Sequence, residues 1–239
     1  MYVGPVALRV LTWNLKHGRA EPPAGRYLAD EFAAALAAWE WDVALLQEVP
    51  PWWPPLLAAR TASSGQARTV LTSRNFGLPV RRALATRWPD LMKSSGGGAN
   101  AILVRAGGVA EHRRRRLCRW PERRWLQAVR LDAREHGELW VGNLHATAHH
   151  DAAARRDDEL AARTLLDWAG EGACVLGGDF NLRALELEGL RRAGGHDVDH
   201  VFARGLEAAG PVEVLERGML SDHAPVAVEL VQWSPPQIR

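Results

Sequence analysis

The sequence predicts an α/β domain in a single unit, and three observations carry that reading. Short apolar runs ending in polar residues recur along the chain, as strands that deliver functional groups to a sheet edge would. Between several of them lie stretches with apolar residues at helical spacing. The 239 residues contain no internal repeat and no linker that divides them, and α/β folds of up to ~250 residues are often one domain.

In chain order, Val6 to Trp13 reads as a first strand running into a polar loop, Asn14-Leu15-Lys16-His17-Gly18. From Tyr27 to Glu40, the residues Leu28, Phe32, Leu36 and Trp39 share one helical face. Asp42 to Gln47 is almost continuously apolar, as a strand covered on both sides would be, and it ends at Glu48. Pro50-Pro51-Trp52-Trp53-Pro54-Pro55 is too proline-dense for regular structure. The two tryptophans either cover the sheet or grip a ligand.

Residues 61 to 98 carry the weakest pattern, with Leu78 to Trp88 reading as helix and Ser94 to Gly98 as a loop before a strand from Asn100 to Val104. Val109 to Cys118 and Trp125 to Leu131 read as strands joined around Pro121. Leu139 to His145 is a further strand on which Val141, Asn143 and His145 share a face. A helix capped by Asp151 runs to about Trp168, with Leu160, Ala161, Leu165 and Trp168 as its stripe. Ala173 to Leu176 is a buried strand ending in Gly177-Gly178-Asp179-Phe180-Asn181, where Asp179 and Asn181 can meet one ligand and the glycines let it approach the backbone. The same pentapeptide is also compatible with a turn and a helix cap. A short helix near Leu185 to Arg192, the pair Gly194-Gly195, a strand through Val198 to Phe202, the segment Ser221-Asp222-His223-Ala224-Pro225 and a last strand from Val226 to Val231 complete the chain.

Composition narrows the function. Hydrophobic residues at 47% and charged residues at 24% exclude a disordered chain. No run reaches the ~18 apolar residues of a membrane span, and Met1 to Thr12 lacks the pattern of a signal peptide, so a cytoplasmic protein is expected. Cys118 and Cys174 fit no metal-ligand spacing and are expected to be reduced thiols. The net charge is only +2, yet Lys16 and Lys93 are the only basic residues besides arginine. Seven of the arginines fall between His112 and Arg124, with Trp120 and Trp125 interleaved. Such a run suits phosphate contacts and base stacking, and equally an edge strand that uses charge against aggregation.

The strand ends together hold Asn14, Glu48, Asn143, His145, Asp179, Asn181, Asp199, Asp222 and His223. Four converging carboxylates would repel one another without a cation or positive partners. Carboxylates without cysteine ligands favour a hard, oxygen-binding ion, Mg²⁺ or Mn²⁺. Two histidines add groups that bind phosphoryl oxygen or move protons near neutral pH. The chemistry that uses this inventory is hydrolysis of a phosphate ester.

Thr12-Trp13-Asn14, Leu46-Gln47-Glu48, Asn143-Leu144-His145, Gly178-Asp179-Phe180-Asn181, Val198-Asp199-His200-Val201 and Ser221-Asp222-His223-Ala224-Pro225 resemble, in order, the motifs of the endonuclease/exonuclease/phosphatase superfamily. The resemblance implies a four-layer α/β sandwich like that of deoxyribonuclease I, with two packed mixed β-sheets flanked by helices. It also implies a Mg²⁺-dependent phosphodiester hydrolase, with Mn²⁺ able to substitute. A nuclease acting on DNA or RNA is the first expectation, as a monomer; a phosphatase or phospholipase-type esterase is the alternative. Carried over, Glu48, Asn14 and Asp222 lie at the metal, Asp179 orients the attacking water, and Asn181 holds the phosphate. His223 contacts the phosphate with Asp199 orienting it, and His145 is a second phosphate-contacting histidine. Asn143, Asn100 and either Arg123 or Arg124 would contact substrate. Asn143-Leu144-His145 departs from the Tyr and Asn of the abasic-site endonucleases and looks closer to the deoxyribonuclease I and phosphatase branch.

Overall fold

The structure, a computed structural model, describes residues 7–63, 66–72, 75–105, 108–120, 122–133 and 137–232. The strands are β1 (Leu8–Asn14), β2 (Val43–Val49), β3 (Arg68–Leu71), β4 (Ala99–Val104), β5 (Gly108–Cys118), β6 (Arg124–Ala133) and β7 (Gly137–His145). They continue with β8 (Cys174–Asp179), β9 (Arg191–His196), β10 (Asp199–Arg204), β11 (Leu206–Ala208), β12 (Glu213–Val214) and β13 (Val226–Gln232). The helices are α1 (Ala29–Ala38), α2 (Pro54–Arg60), α3 (Leu78–Arg87), α4 (Pro89–Met92) and α5 (Asp151–Ala169).

One sheet has the order β11-β13-β1-β2-β4-β3 with β12 beside β13, and the other β5-β6-β7-β8-β10-β9. Strand alternation sorts the apolar residues into three layers. Val10, Val43, Leu45, Ile102 and Val228 of the first sheet meet Val129, Val141, Val175 and Val201 of the second. On the outer face of the first sheet, Leu11, Trp13, Ala44 and Leu46 pack on Phe32 and Leu36 of α1 and Leu57 of α2. On the outer face of the second, Leu126, Trp140, Leu144 and Leu176 pack on Ala161 and Leu165 of α5. The result is the four-layer sandwich, helices outside and two sheets face to face.

Two pairings fix where the polar strand ends go. β1 and β2 are parallel, as are β7 and β8, while the strands flanking each pair are antiparallel. The C-terminal ends of β1, β2, β7 and β8 therefore share one rim with the N-terminal ends of β4, β6, β10 and β13. Asn14, Glu48, His145 and Asp179 arrive there from one direction, and Arg124, Asp199 and His223 from the other.

Local readings differ from the sequence expectation in several places. Val6 and Pro121 lie outside the described residues. The proline-dense segment opens a helix after all, because Pro54 and Pro55 occupy the first turn of α2, where a missing N–H costs nothing. Trp53 is buried, stacks near Phe32 and donates Nε1–H to the Tyr27 hydroxyl at 2.6 Å, so it covers the sheet. The cap of α5 is His150, whose Nδ1 accepts from Ala153 N, and Asp151 is the first helical residue. No helix forms near Leu185 to Arg192. Leu185 and Leu187 are drawn into the core beside α5, an antiparallel bridge joins Leu187 to Leu190, and β9 follows. The glycine pair also serves packing rather than ligand approach. A Cβ at Gly177 would sit 2.6 Å from Leu45 Cδ1 of the facing sheet, and one at Gly178, with φ of 149°, 2.1 Å from the Leu144 carbonyl oxygen.

Asp158, on the inner face of α5, is fully buried and neither carboxylate oxygen has a hydrogen-bond partner. Burial, with the charges of Asp157 and Asp179 beside it, pushes its pKa up to about 9. The folded chain thus holds a proton that the unfolded chain releases near pH 4, so this site's contribution to stability is complete below pH 4 and is lost as pH rises toward 9. Asp158→Asn removes that loss. In denaturant titrations the variant gains on the wild type with rising pH, by at most ~1.4 kcal/mol per pH unit; parallel curves would show Asp158 to be ionised in the fold.

Candidate functional site

The rim shared by the two sheets collects the side chains of six segments. Asp179, the last residue of β8, is the hub and is buried. Its Oδ2 accepts from Asn14 Nδ2 at 2.9 Å and its Oδ1 from the Asn181 backbone N at 3.0 Å. His145 Nε2 lies 3.4 Å and His223 Nε2 3.9 Å from the same Oδ2. Asp199, paired across the ladder with Asp179, accepts from His223 Nδ1 at 2.7 Å through Oδ2, while its Oδ1 is buried without a protein partner.

The loop carrying His223 is held by the first sheet. Ser221 Oγ donates to the Asn14 carbonyl at 2.6 Å and accepts from His223 N at 3.1 Å, and Trp13 Nε1 donates to the His223 carbonyl at 3.0 Å. On the other side, Thr147 after His145 is fixed by Asp157 Oδ2, which accepts from its backbone N at 3.0 Å and its hydroxyl at 2.6 Å. Seven of the nine non-glycine residues with positive φ among the described residues lie at this rim: Lys16, His17, Glu48, His149, Asn181, Asp197 and Ser221. Backbone in that region is costly and persists where the surroundings over-determine it, which is common at working sites.

The two histidines have opposite environments. Burial, with the positive charges of Arg124 and His223 nearby, holds the His145 pKa well below the ordinary value and leaves it neutral. Burial works against a charged His223 too, but the hydrogen bond to Asp199 and the charges of Asp199, Asp179 and Asp222 outweigh it and push the value up to about 9. Burial raises Asp179. One rim thus presents a neutral imidazole and a cationic one on either side of a single carboxylate, the division that acid–base chemistry requires.

Glu48 stands a quarter exposed at the end of β2, with Oε2 3.2 Å from His17 Nε2 and Oε1 4.0 Å from His145 Nε2. Asp222 is half exposed, and Lys16 Nζ lies 3.0 Å from its Oδ2; that ion pair lowers the Asp222 pKa against the opposing effect of burial. Glu48 and Asp222 offer carboxylate oxygens toward solvent, while Asn14 is buried with its Oδ1 accepting from Lys16 N at 2.9 Å; oxygen donors of this kind fit a hard divalent cation. The orphaned Asp199 Oδ1 belongs to a different cluster, Asp179, Asp199 and His223, whose ligand atoms lie within 4.8 Å of one another. A histidine already hydrogen-bonded to one of those carboxylates makes that cluster a proton-handling group first.

Two clefts flank this centre. The larger, about 510 Å³, runs past His17, Glu48 and His145 to Trp120, Arg123, Arg124 and His149. The smaller, about 320 Å³, lies beyond His223, against Asp197, Arg217 and Asp222. Both arginines of the sequence expectation line the larger cleft. Arg124 is the buried one, ion-paired to Glu122 at 2.8 Å.

Asn143 and Asn100 are not where substrate contact would need them. Alternation turns both toward the interior, and neither lines either of these two clefts. Asn143 donates to the Leu46 and Ala101 carbonyls and accepts from Gln47 Nε2 at 2.8 Å, clamping the two sheets together. Asn100 is buried with both amide atoms unpartnered among protein groups. Asn181 spends one amide hydrogen on the Ala146 carbonyl at 3.1 Å. The sequence reading missed His17 and Lys16 as site residues. Their signal was position: a lysine and a histidine within three residues of a strand end already marked by Asn14.

The sequence matches the Endonuclease/Exonuclease/phosphatase family over residues 11–223. Among curated proteins, none matches the chain by sequence. Among solved structures, an endonuclease/exonuclease/phosphatase from Beutenbergia cavernae DSM 12333 superposes with a TM-score of 0.73 at 21% identity, covering 97% of this chain and 73% of that one. A mannosyl-6-phosphatase of Bacteroides thetaiotaomicron VPI-5482 gives 0.69 at 16%, covering 94% and 99%. TDP2 from Caenorhabditis elegans gives 0.66 at 17%, covering 95% and 74%. At these identities the likeness extends to the fold.

Proposed function

The chain belongs to the endonuclease/exonuclease/phosphatase family, whose members are metal-dependent phosphoesterases, and from that premise we propose that it hydrolyses phosphodiesters in DNA or RNA with Mg²⁺, Mn²⁺ substituting. The observation that carries the diester reading is the pair of clefts on opposite sides of the Asp179 centre, one for each arm of a diester. A phosphomonoester would need only one.

In this reading Glu48, Asn14 and Asp222 hold the cation. When bound it neutralises phosphoryl oxygens and lowers the pKa of water. Asp179, fixed by Asn14 and the Asn181 N–H, orients the attacking water and takes its proton. Protonated His223, held by Asp199, meets the charge that grows on the phosphoryl oxygens. His145, neutral, accepts a hydrogen bond, and Asn181 Oδ1 and its remaining amide hydrogen face the phosphate. Arg123 and Arg124 meet the negative charge of the arm in the larger cleft.

The nucleic-acid reading is supported by β5, an edge strand whose C-terminal end lies at the same rim as Arg124. Arg114 and Arg116 stand opposite Gln127 and Trp125 on one face, whereas Arg113 lies over Trp140 on the α5 side, 4.9 Å from the ring centroid, and Arg115 faces α5 residues. A polynucleotide following Arg114 and Arg116 would lose binding with salt at a slope of about −0.7 to −0.9 per phosphate contact. Replacing both by Ser therefore flattens the slope for DNA or RNA and leaves hydrolysis of a small aryl phosphodiester unchanged. Arg113→Ser with Arg115→Ser is the opposite-face control. Equal slopes for all three proteins would remove β5 from the substrate path. A second reading, a phospholipid head-group diester, is favoured by the exposed apolar residues between Leu71 and Leu91, a segment whose flanking Thr72, Ser94 and Gly98 line the larger cleft.

A further inference from the structure

Six of the nine large apolar side chains that stand exposed among the described residues come from one stretch: Leu71, Phe76, Val80, Leu84, Trp88 and Leu91. Phe76 precedes the cap of α3, Trp88 breaks the helical backbone between α3 and α4, and Leu91 lies on α4, while Val80 and Leu84, four apart, form on α3 the kind of stripe a helix normally turns to the core. Here it faces solvent. Phe76 is 90% exposed, Leu91 79% and Val80 66%, and α3 contains no buried residue. So concentrated an apolar surface marks an interaction site.

The charges around the stripe are of one sign. Arg87 and Lys93 are exposed in the same segment, and the Arg87 guanidinium lies 5.4 Å from the Trp88 ring centroid, whereas Arg82, two positions from both Val80 and Leu84, is exposed on the far side of α3. The one carboxylate between Phe76 and Gly98, Asp90, accepts from the Gly25 backbone N at 2.7 Å. Arg81 is turned inward, donating to the Phe76 and Ser95 carbonyls. We propose that this face docks the enzyme on an anionic lipid surface, with the stripe entering the head-group layer and Arg87 and Lys93 meeting lipid phosphates.

Other occupants fit less well. Val80, Leu84 and Leu91 offer a polynucleotide neither charge nor a ring to stack on. A second copy of the chain would set the same two cations against their own counterparts. A membrane satisfies both components, and Phe76 and Trp88 are the aromatic types that settle at its interface. The segment also reaches the chemistry, because Thr72 before it and Ser94 and Gly98 after it line the larger cleft with Glu48. Docking stands on the surface itself; its catalytic consequence rests on the lipid-diester reading.

The test is sedimentation of the full chain with vesicles of phosphatidylcholine alone or mixed with phosphatidylglycerol, in chelator so that no turnover occurs. Wild type is expected to partition onto the mixed vesicles and far less onto the neutral ones. Val80→Asp with Leu84→Asp lowers that partition by about tenfold or more, and Arg87→Glu with Lys93→Glu lowers it while abolishing the preference for anionic lipid. All four positions are exposed, and unchanged hydrolysis of a small aryl phosphodiester verifies that each variant is folded. No wild-type partition, or partition untouched by the aspartates, overturns the proposal. Self-association without lipid, removed by the same aspartates, also overturns it and gives the face to a second copy. Adding Mg²⁺ afterwards separates the two claims: vesicle binding without lipid hydrolysis keeps the docking face and rejects the lipid-diester substrate.

Discussion

Asp179→Asn lowers kcat by roughly 10²-fold or more with little change in KM, because it removes the charge that orients water and takes its proton while leaving a group of the same shape. The substitution also costs some stability, about 1–3 kcal/mol, because Asn14 Nδ2 and the Asn181 N–H both need an acceptor at buried position 179 and a carboxamide supplies one in place of two. His223→Ala has an effect of similar size by a different route, since it removes the cation held by Asp199 at 2.7 Å and leaves that buried carboxylate without its partner. The two should not add when combined, because His223 and Asp179 act on the same phosphoryl group. Steady-state kinetics on an aryl phosphodiester checks both. Near-normal turnover in either single variant removes that residue from the chemistry.

Glu48→Gln is the second large effect, and it is read through the metal. Glu48 contributes a carboxylate at a sheet edge where its nearest partners are the imidazoles of His17 and His145, at 3.2 and 4.0 Å. Losing that charge raises the Mg²⁺ concentration needed for half-maximal activity by about tenfold or more and lowers the plateau. The fold should be unaffected, since the side chain is a quarter exposed and ties no two elements together other than through those imidazoles. A Mg²⁺ titration of activity that superposes on the wild type would mean that the ion sits elsewhere, with Asp179, Asp199 and His223 as the obvious place to look.

Much of this arrangement was legible in the sequence, and the reason is periodicity. Leu28, Phe32 and Leu36 announced α1, and the unbroken apolar run of β2 announced a strand covered on both faces. The polar residue closing each run marked the rim, because a strand buried on both sides can place a carboxylate only at its end. What failed depended on contacts between distant segments. Asn143 and Asn100 were expected to contact substrate, but the strand face they occupy is the interior between the sheets. Gly177 and Gly178 looked like ligand cradles, and the need they meet is room for Leu45 and the Leu144 carbonyl. His17 was invisible because its partners, Glu48 and the Gly97 carbonyl, lie 31 and 80 positions away and it has no periodic neighbours. Leu78 to Trp88 read as helix and α3 forms there, but nothing in its spacing told which side faces solvent, and in the structure none of its residues is buried.

The central claim is that the rim around Asp179 is a metal-dependent centre for diesters. The most direct measurement compares hydrolysis of an aryl phosphodiester and the matching aryl phosphomonoester by the purified chain in Mg²⁺, in Mn²⁺ and in excess chelator. The account predicts turnover of the diester in either metal, a much smaller rate on the monoester, and loss of both in chelator. Full activity in chelator, or a monoester rate exceeding that of the diester, would contradict it.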